Sequence, residues 1–138
     1  MSQIKDAELI AVFKERRGDF EKLKQMAMED SGSIGYISEK TLKKSSLSEG
    51  RQNDYATLLS RIRPGLSVGA GPQQVTFHFA QGGAALAIGR SWTKGITYLP
   101  GGAKGCTVVK NLDERHVDDG VYVVPIEADW YLIYSQLD

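Results

Sequence analysis

Between Lys5 and Asp30 the apolar residues Leu9, Phe13, Phe20, Leu23 and Ala27 recur at intervals of three to seven positions among Lys, Glu and Arg. That spacing puts one apolar stripe on a charged helix, a face suited to docking on a sheet. Gly18 interrupts the stripe. Glycine inside a helix costs about 1 kcal/mol relative to alanine, so a bend or a boundary between two shorter helices is expected there. Residues 31–45, rich in Ser, Gly and Lys, hold no sustained period and read as a connection. Ser46, with Glu49 three residues on, fits a capping box. Tyr55, Leu58, Leu59 and Ile62 then follow at i, i+3, i+4 and i+7, a buried helical face that Pro64-Gly65 ends.

After Gly71-Pro72 the period changes to two. Val75, Phe77 and Phe79 alternate with Thr76 and His78, as in a strand with one face on a core, and Gly82-Gly83 supplies a turn. Ala84–Ile88 and Gly95–Leu99 read as the next strands of a meander, closed by Pro100-Gly101-Gly102. Thr107–Val109 is a short strand candidate before the polar loop Asn111–Gly120. Val121–Ile126 and Trp130–Tyr134 flank the turn Glu127-Ala128-Asp129 as a β-hairpin, and Pro125 places its strand toward an edge. Helices followed by consecutive antiparallel strands predict an α+β fold: two N-terminal helices on one face of a mostly antiparallel sheet of about five to six strands.

Composition fits that picture. Residues 1–63 hold 22 charged residues and four glycines, and residues 64–138 hold 12 and eleven, the expected shift from helices to strands and turns. At 138 residues the chain is sized for one domain, with a helical part over 1–63 and a sheet part over 64–138. Seventeen basic residues balance seventeen acidic ones, so no global field favours nucleic acid or anionic lipid. The single cysteine, Cys106, has no internal disulfide partner. The first thirty residues carry charge throughout with no apolar signal core, and a cytoplasmic location is expected from Met1 onward.

Several residues invite chemical readings. Ser91-Trp92-Thr93-Lys94 matches the S-x-x-K pattern of serine acyl-enzymes, which requires a helix. Here it lies between strand-like segments without the companion motifs, and a hairpin turn accounts for it better. His78 and His116 have no cysteine nearby at metal-ligand spacing, so neither metal nor cofactor is indicated. Gly101–Gly105 lacks the spacing and hydroxyl of a phosphate loop. Tyr98, Tyr122, Trp130, Tyr131 and Tyr134 could form a stacking platform, but strand aromatics are more often core or cross-strand pairs. The strongest local bias is acidic. From Asp113 to Asp129, six carboxylates (Asp113, Glu114, Asp118, Asp119, Glu127, Asp129) face Arg115 alone, a net of minus five. Such a run is either a solvated loop or a surface for a basic partner.

Three blocks carry a resemblance: His78-Phe79-Ala80 through Leu86-Ala87-Ile88, Ser91–Pro100 as SWTKGITYLP, and Val121–Tyr134 as VYVVPIEADWYLIY. With Val109–Asp113 as a V-x-x-L-D segment, they resemble a group of small, mostly uncharacterised bacterial proteins with a charged N-terminal helix and a closing P-I-x-x-x-W-Y-L-x-Y hairpin. Val124 stands where an arginine is common in that group, Trp92 enlarges the small-residue turn, and many members carry an exported lipoprotein leader, which would place them in the periplasm or on a lipid anchor. The resemblance implies a fold and supplies no catalytic residue.

The preferred reading is a non-catalytic protein-binding module, most concretely an immunity protein that inhibits a bacterial toxin. Asp113, Glu114, Asp118, Asp119 and Asp129 would face a basic cleft, with Trp92 or Trp130 as aromatic anchor. No direct nucleic-acid or membrane contact is expected. The alternatives are a small hydrolase or ligand-binding protein using the Ser91/Lys94 turn, and a regulatory domain that forms a homodimer through the Pro125 edge strand.

Overall fold

The structure, a computed structural model, describes residues 4–82, 91–114 and 119–137. Helices α1 (Asp6–Glu15) and α2 (Arg17–Asp30) are followed by a short strand β1 (Tyr36–Ile37), and then by helices α3 (Glu39–Lys44) and α4 (Glu49–Ile62). Strands β2 (Ser67–Ala70), β3 (Val75–Gly82), β4 (Ser91–Tyr98), β5 (Thr107–Val108), β6 (Gly120–Glu127) and β7 (Trp130–Leu137) complete the chain. All seven strands join one sheet in the order β1-β2-β3-β4-β7-β6-β5. Every pairing is antiparallel except that of β5 with β6. The fold is α+β as expected, with more strands than the period suggested.

The helical stripe forms where the sequence places it. Leu9 and Phe13 of α1 and Phe20, Leu23 and Ala27 of α2 are buried. The break falls at Arg16, not at Gly18, which lies in the first turn of α2. Residues 31–45 are more than a connection. Tyr36-Ile37 pairs with β2, and Ser38 caps α3 by a reciprocal exchange with Thr41. Helix α4 is capped by Ser48, whose hydroxyl accepts from the Arg51 N–H, rather than by Ser46. A cap residue must be extended immediately before the first helical turn, and Ser48 is the residue in that position. Tyr55, Leu58, Leu59 and Ile62 form its buried face, as read.

One large core fills the space between the helices and the sheet. Phe20 packs against the rings of Phe13, Phe77, Phe79 and Trp130, and Trp130 also meets Tyr98. On the opposite face of the sheet, a smaller cluster of Leu99, Val123 and Ile133 is covered by Ala103 and Cys106. A bulge in β3 between His78 and Ala80 interrupts the alternation. Phe79 and Ala80 both pack against the main core, so Gln81 returns to the face that carries His78. The bulge sits against Gly95, where a Cβ would lie 1.8 Å from the Phe77 carbonyl oxygen, closer than any side chain permits.

The expected hairpin of residues 121–134 is present, with a tighter turn. Ala128-Asp129 alone connect β6 to β7, and Asp129 adopts φ 67°. β5 continues the sheet beyond β6 only opposite Tyr122 and Val123, so Pro125 lies on a stretch of β6 with no outer strand among the described residues, in keeping with the edge position expected of it. The outermost strands, β1 and β5, have two residues each, and β5 leaves residues 124–127 of β6 without an outer neighbour among the described residues. The strand expected over Ala84–Ile88 and the turn at Gly83 lie outside the described residues.

Candidate functional site

The acidic run does not form one cluster. Asp119 adjoins the start of β6 and Asp129 the end of the same eight-residue strand, so they stand about 23 Å apart at the usual rise per residue. Glu127 is engaged by Arg17, whose Nε and Nη2 donate to its two oxygens at 3.2 and 2.9 Å. Asp113 accepts the Asp6 backbone N–H at 2.9 Å and pairs with Lys94 at 3.3 Å. Burial pushes its carboxyl up, but the Asp6 amide and the Lys94 ammonium outweigh that effect and hold it below the usual carboxylate range. Glu114, Asp119 and Asp129 are exposed, and Asp118 lies outside the described residues.

The two tryptophans part company. Trp130 is 1% exposed, and its ring is enclosed by Phe13, Phe20, Phe77 and Tyr98 while its Nε1 donates to Glu21 at 3.0 Å. It is a core residue with no surface to offer a partner. Alternation along β7 explains this, since Trp130, Leu132 and Tyr134 share the helix-covered face. Trp92 is half-buried, stacked on Tyr134 and lying over Gly82, where a Cβ would come within 2.7 Å of its indole.

Ser91–Lys94 is not a turn. All four residues belong to β4, where positions three apart alternate to opposite faces, so the helical geometry of the acyl-enzyme motif is absent. Lys94 is instead a core lysine, 1% exposed. Its Nζ donates to the Ile4 carbonyl at 2.8 Å and lies 2.9 Å from Asp6 Oδ1 and 3.3 Å from Asp113 Oδ1. The Leu112 N–H donates to the other Asp6 oxygen at 2.6 Å. The constellation ties the start of α1 to the middle of the sheet and to the loop after β5. Its signal was present in the sequence: Lys94 occupies a core-side position in the alternation Trp92, Lys94, Ile96, Tyr98.

The sheet face away from the helices is polar over β1–β4. Tyr36 donates to Ser67 Oγ at 2.8 Å, Gln81 reaches the same oxygen at 3.3 Å, and Thr76 and Thr97 share a 2.8 Å hydroxyl contact. His78 Nδ1 lies 2.8 Å from Thr93 Oγ1. Its Nε2 sits over Gly69, where a Cβ would be 3.2 Å away, and ring and glycine line a shallow depression of about 330 Å³ with Gly35, Gly71, Gln74 and Thr76. Burial lowers the His78 pKa, favouring the neutral imidazole. The outward direction of His78 agrees with the alternation, but its ring is half-buried instead of lying freely at the surface. His116 lies outside the described residues.

No helix among the described residues is long and apolar enough to cross a membrane. When sequence and fold are compared with known proteins, no family model, no curated protein and no solved structure matches.

Proposed function

We propose that the protein is a non-catalytic protein-binding module, most concretely an immunity protein that inhibits a bacterial toxin by presenting carboxylates to its basic cleft. The observation that supports this reading is the division of labour among the acidic residues. All five described carboxylates of the run are exposed, but Asp113 and Glu127 are ion-paired with Lys94 and Arg17, whereas Glu114, Asp119 and Asp129 enter no ion pair among the described residues. A spread of about 23 Å along one strand fits within a single standard interface, which buries roughly 800 Å² per partner. Rim carboxylates of this kind accelerate encounter with a basic surface and reject acidic ones. The interface therefore comprises Glu114, Asp119 and Asp129, with Asp118 as a further carboxylate of the same stretch and Trp92 in place of Trp130 as the aromatic contact.

Co-expression with the product of the neighbouring gene, followed by gel filtration, tests this reading. A stoichiometric complex is expected, and it should weaken or dissociate as salt is raised and when Glu114, Asp119 and Asp129 are together changed to Gln, Asn and Asn. Separate elution at micromolar concentration and low salt would count against it. A complex indifferent to the triple substitution would remove the acidic surface from the proposal.

A further inference from the structure

We propose that Lys94 and Asp6 form an isopeptide bond, closed spontaneously within the folded chain, with Asp113 carrying the protons. An ordinary surface ion pair holds its groups loosely and in water. Here the amine is fixed from three sides, by the Ile4 carbonyl at 2.8 Å and two carboxylates at 2.9 and 3.3 Å, and is almost fully withdrawn from solvent. The 2.9 Å approach to Asp6 Oδ1 lacks the angles of a hydrogen bond, and that buried oxygen has no hydrogen-bond partner among the described residues. The second oxygen, Oδ2, is held by the Leu112 amide at 2.6 Å. A nucleophile is thus placed against one carboxyl oxygen while a fixed donor polarises the other.

The chemistry balances without any external reactant. An ammonium and a carboxylate contain the atoms of one secondary amide and one water. Asp113, in contact with Lys94 Nζ and with the Asp6 backbone, relays one proton from the ammonium to Asp6 Oδ1, giving an amine and a carboxylic acid. The amine lone pair attacks Asp6 Cγ, and charge gathers on Oδ2, where the Leu112 N–H is already directed. Asp113 then takes a second proton from the nitrogen and delivers it to Oδ1. The Cγ–Oδ1 bond breaks, water leaves, and Asp113 is returned as a carboxylate. Fixing both reactants in one folded site replaces the bimolecular encounter that makes amide formation slow in water. Asp113 is exposed, with 38% of its side chain open to solvent, which gives the departing water a route outward.

The consequence is a covalent clasp between the first turn of α1 and the middle of β4. Intact-mass measurement on the full chain, purified folded and then denatured, decides the matter. The wild-type protein is expected to be lighter than its sequence by one water, and its tryptic digest should contain a branched peptide joining the Asp6 and Lys94 segments, with no cleavage after Lys94. Lys94→Met and Asp6→Ala should each have their full sequence mass, and Asp113→Ala should be recovered largely uncrosslinked. Wild-type protein that keeps its full mass after prolonged incubation at neutral pH would overturn the proposal and leave an ion-paired triad. So would a water loss that maps to other residues. Wild-type closure in Asp113→Ala would overturn the role given to that residue. Because the wild-type mass and peptide map decide the bond itself, a variant that fails to fold does not obscure the answer.

Discussion

The two faces of the sheet are built from the same strands and solve opposite problems. On the helix side, Val68, Phe77, Ile96, Leu132 and Trp130 are sealed beneath Phe13 and Phe20, and the binding force is removal of apolar surface from water. On the other side of β1–β4, Tyr36, Ser67, Thr76, His78, Gln81, Thr93 and Thr97 bond to one another. There, order comes from satisfying polar groups that the sheet has partly buried. Such groups contribute little net energy when paired and cost more when one partner is lost. The helix side should therefore dominate stability, and the polar side should set a smaller and more position-dependent contribution.

Phe20→Ala is the largest break of that contrast. Its ring touches four other aromatic rings and joins α2 to β3 and β7, so the expected loss is about 3–5 kcal/mol, read from urea unfolding. Gly95→Ala comes next and acts on the backbone of the neighbouring strand β3. The added methyl meets the Phe77 carbonyl and the Phe79 amide, which are backbone and cannot swing aside, and about 3 kcal/mol is expected, toward the upper end for overpacking. Hydrogen exchange should then show the loss of protection centred on the β3–β4 pairing. A cost below 1 kcal/mol would mean that the bulge tolerates a side chain and that its close approach is not what fixes the register.

These sites also show what the sequence made legible. The apolar alternation of β3 and the i, i+3, i+4, i+7 face of α4 depend on local period, and both elements are found where the period puts them. Tyr36-Ile37 and Ser67–Ala70 are not legible in the sequence because two and four residues are too short to display a period, and they become strands only through pairing with each other and with β3. Strict alternation past Phe79 does not hold: the bulge between His78 and Ala80, against Gly95, turns Gln81 toward Ser67, and no local period signals it. The acidic run looked continuous because sequence distance hides the length of β6, which carries Asp119 and Asp129 to opposite ends. The alternation Trp92, Lys94, Ile96, Tyr98 puts Lys94 on the core side, but its partners Asp6 and Asp113 are distant in the chain and no local spacing points to them.

A gentler comparison uses Thr97→Val, which keeps the shape of a fully buried side chain while deleting its hydroxyl. The Val75 carbonyl loses a 3.1 Å donor and Thr76 loses its 2.8 Å partner, so about 1–2 kcal/mol is expected in urea unfolding. A similar loss in Val123→Thr, on the same side of the sheet within the small apolar cluster, would arise from the reverse cause: a hydroxyl placed without a partner.

The smallest expected effect is the most specific to the polar face. Burial holds the His78 pKa below its ordinary value, and Tyr36, Ser67, Gln81 and Thr93 around it supply no charge to reverse that direction. In the unfolded chain the imidazole takes its proton near pH 6.5, before the folded protein does. Between that pH and the lower folded value the unfolded state binds more protons, so stability rises with pH and falls on acidification. Asp113, Asp30 and Glu21 have lowered pKa values, so their contributions remain until more acidic pH and do not confuse this window. The urea midpoint of the wild-type protein should thus decrease from about pH 7.5 to about pH 5.5, and His78→Gln should flatten that decrease, with His116→Gln as the parallel control. Equal slopes in wild type and His78→Gln would mean that the imidazole is solvated in the folded protein. The polar face would then be held by its hydroxyl contacts alone, and the depression over Gly69 would be open to water at its base.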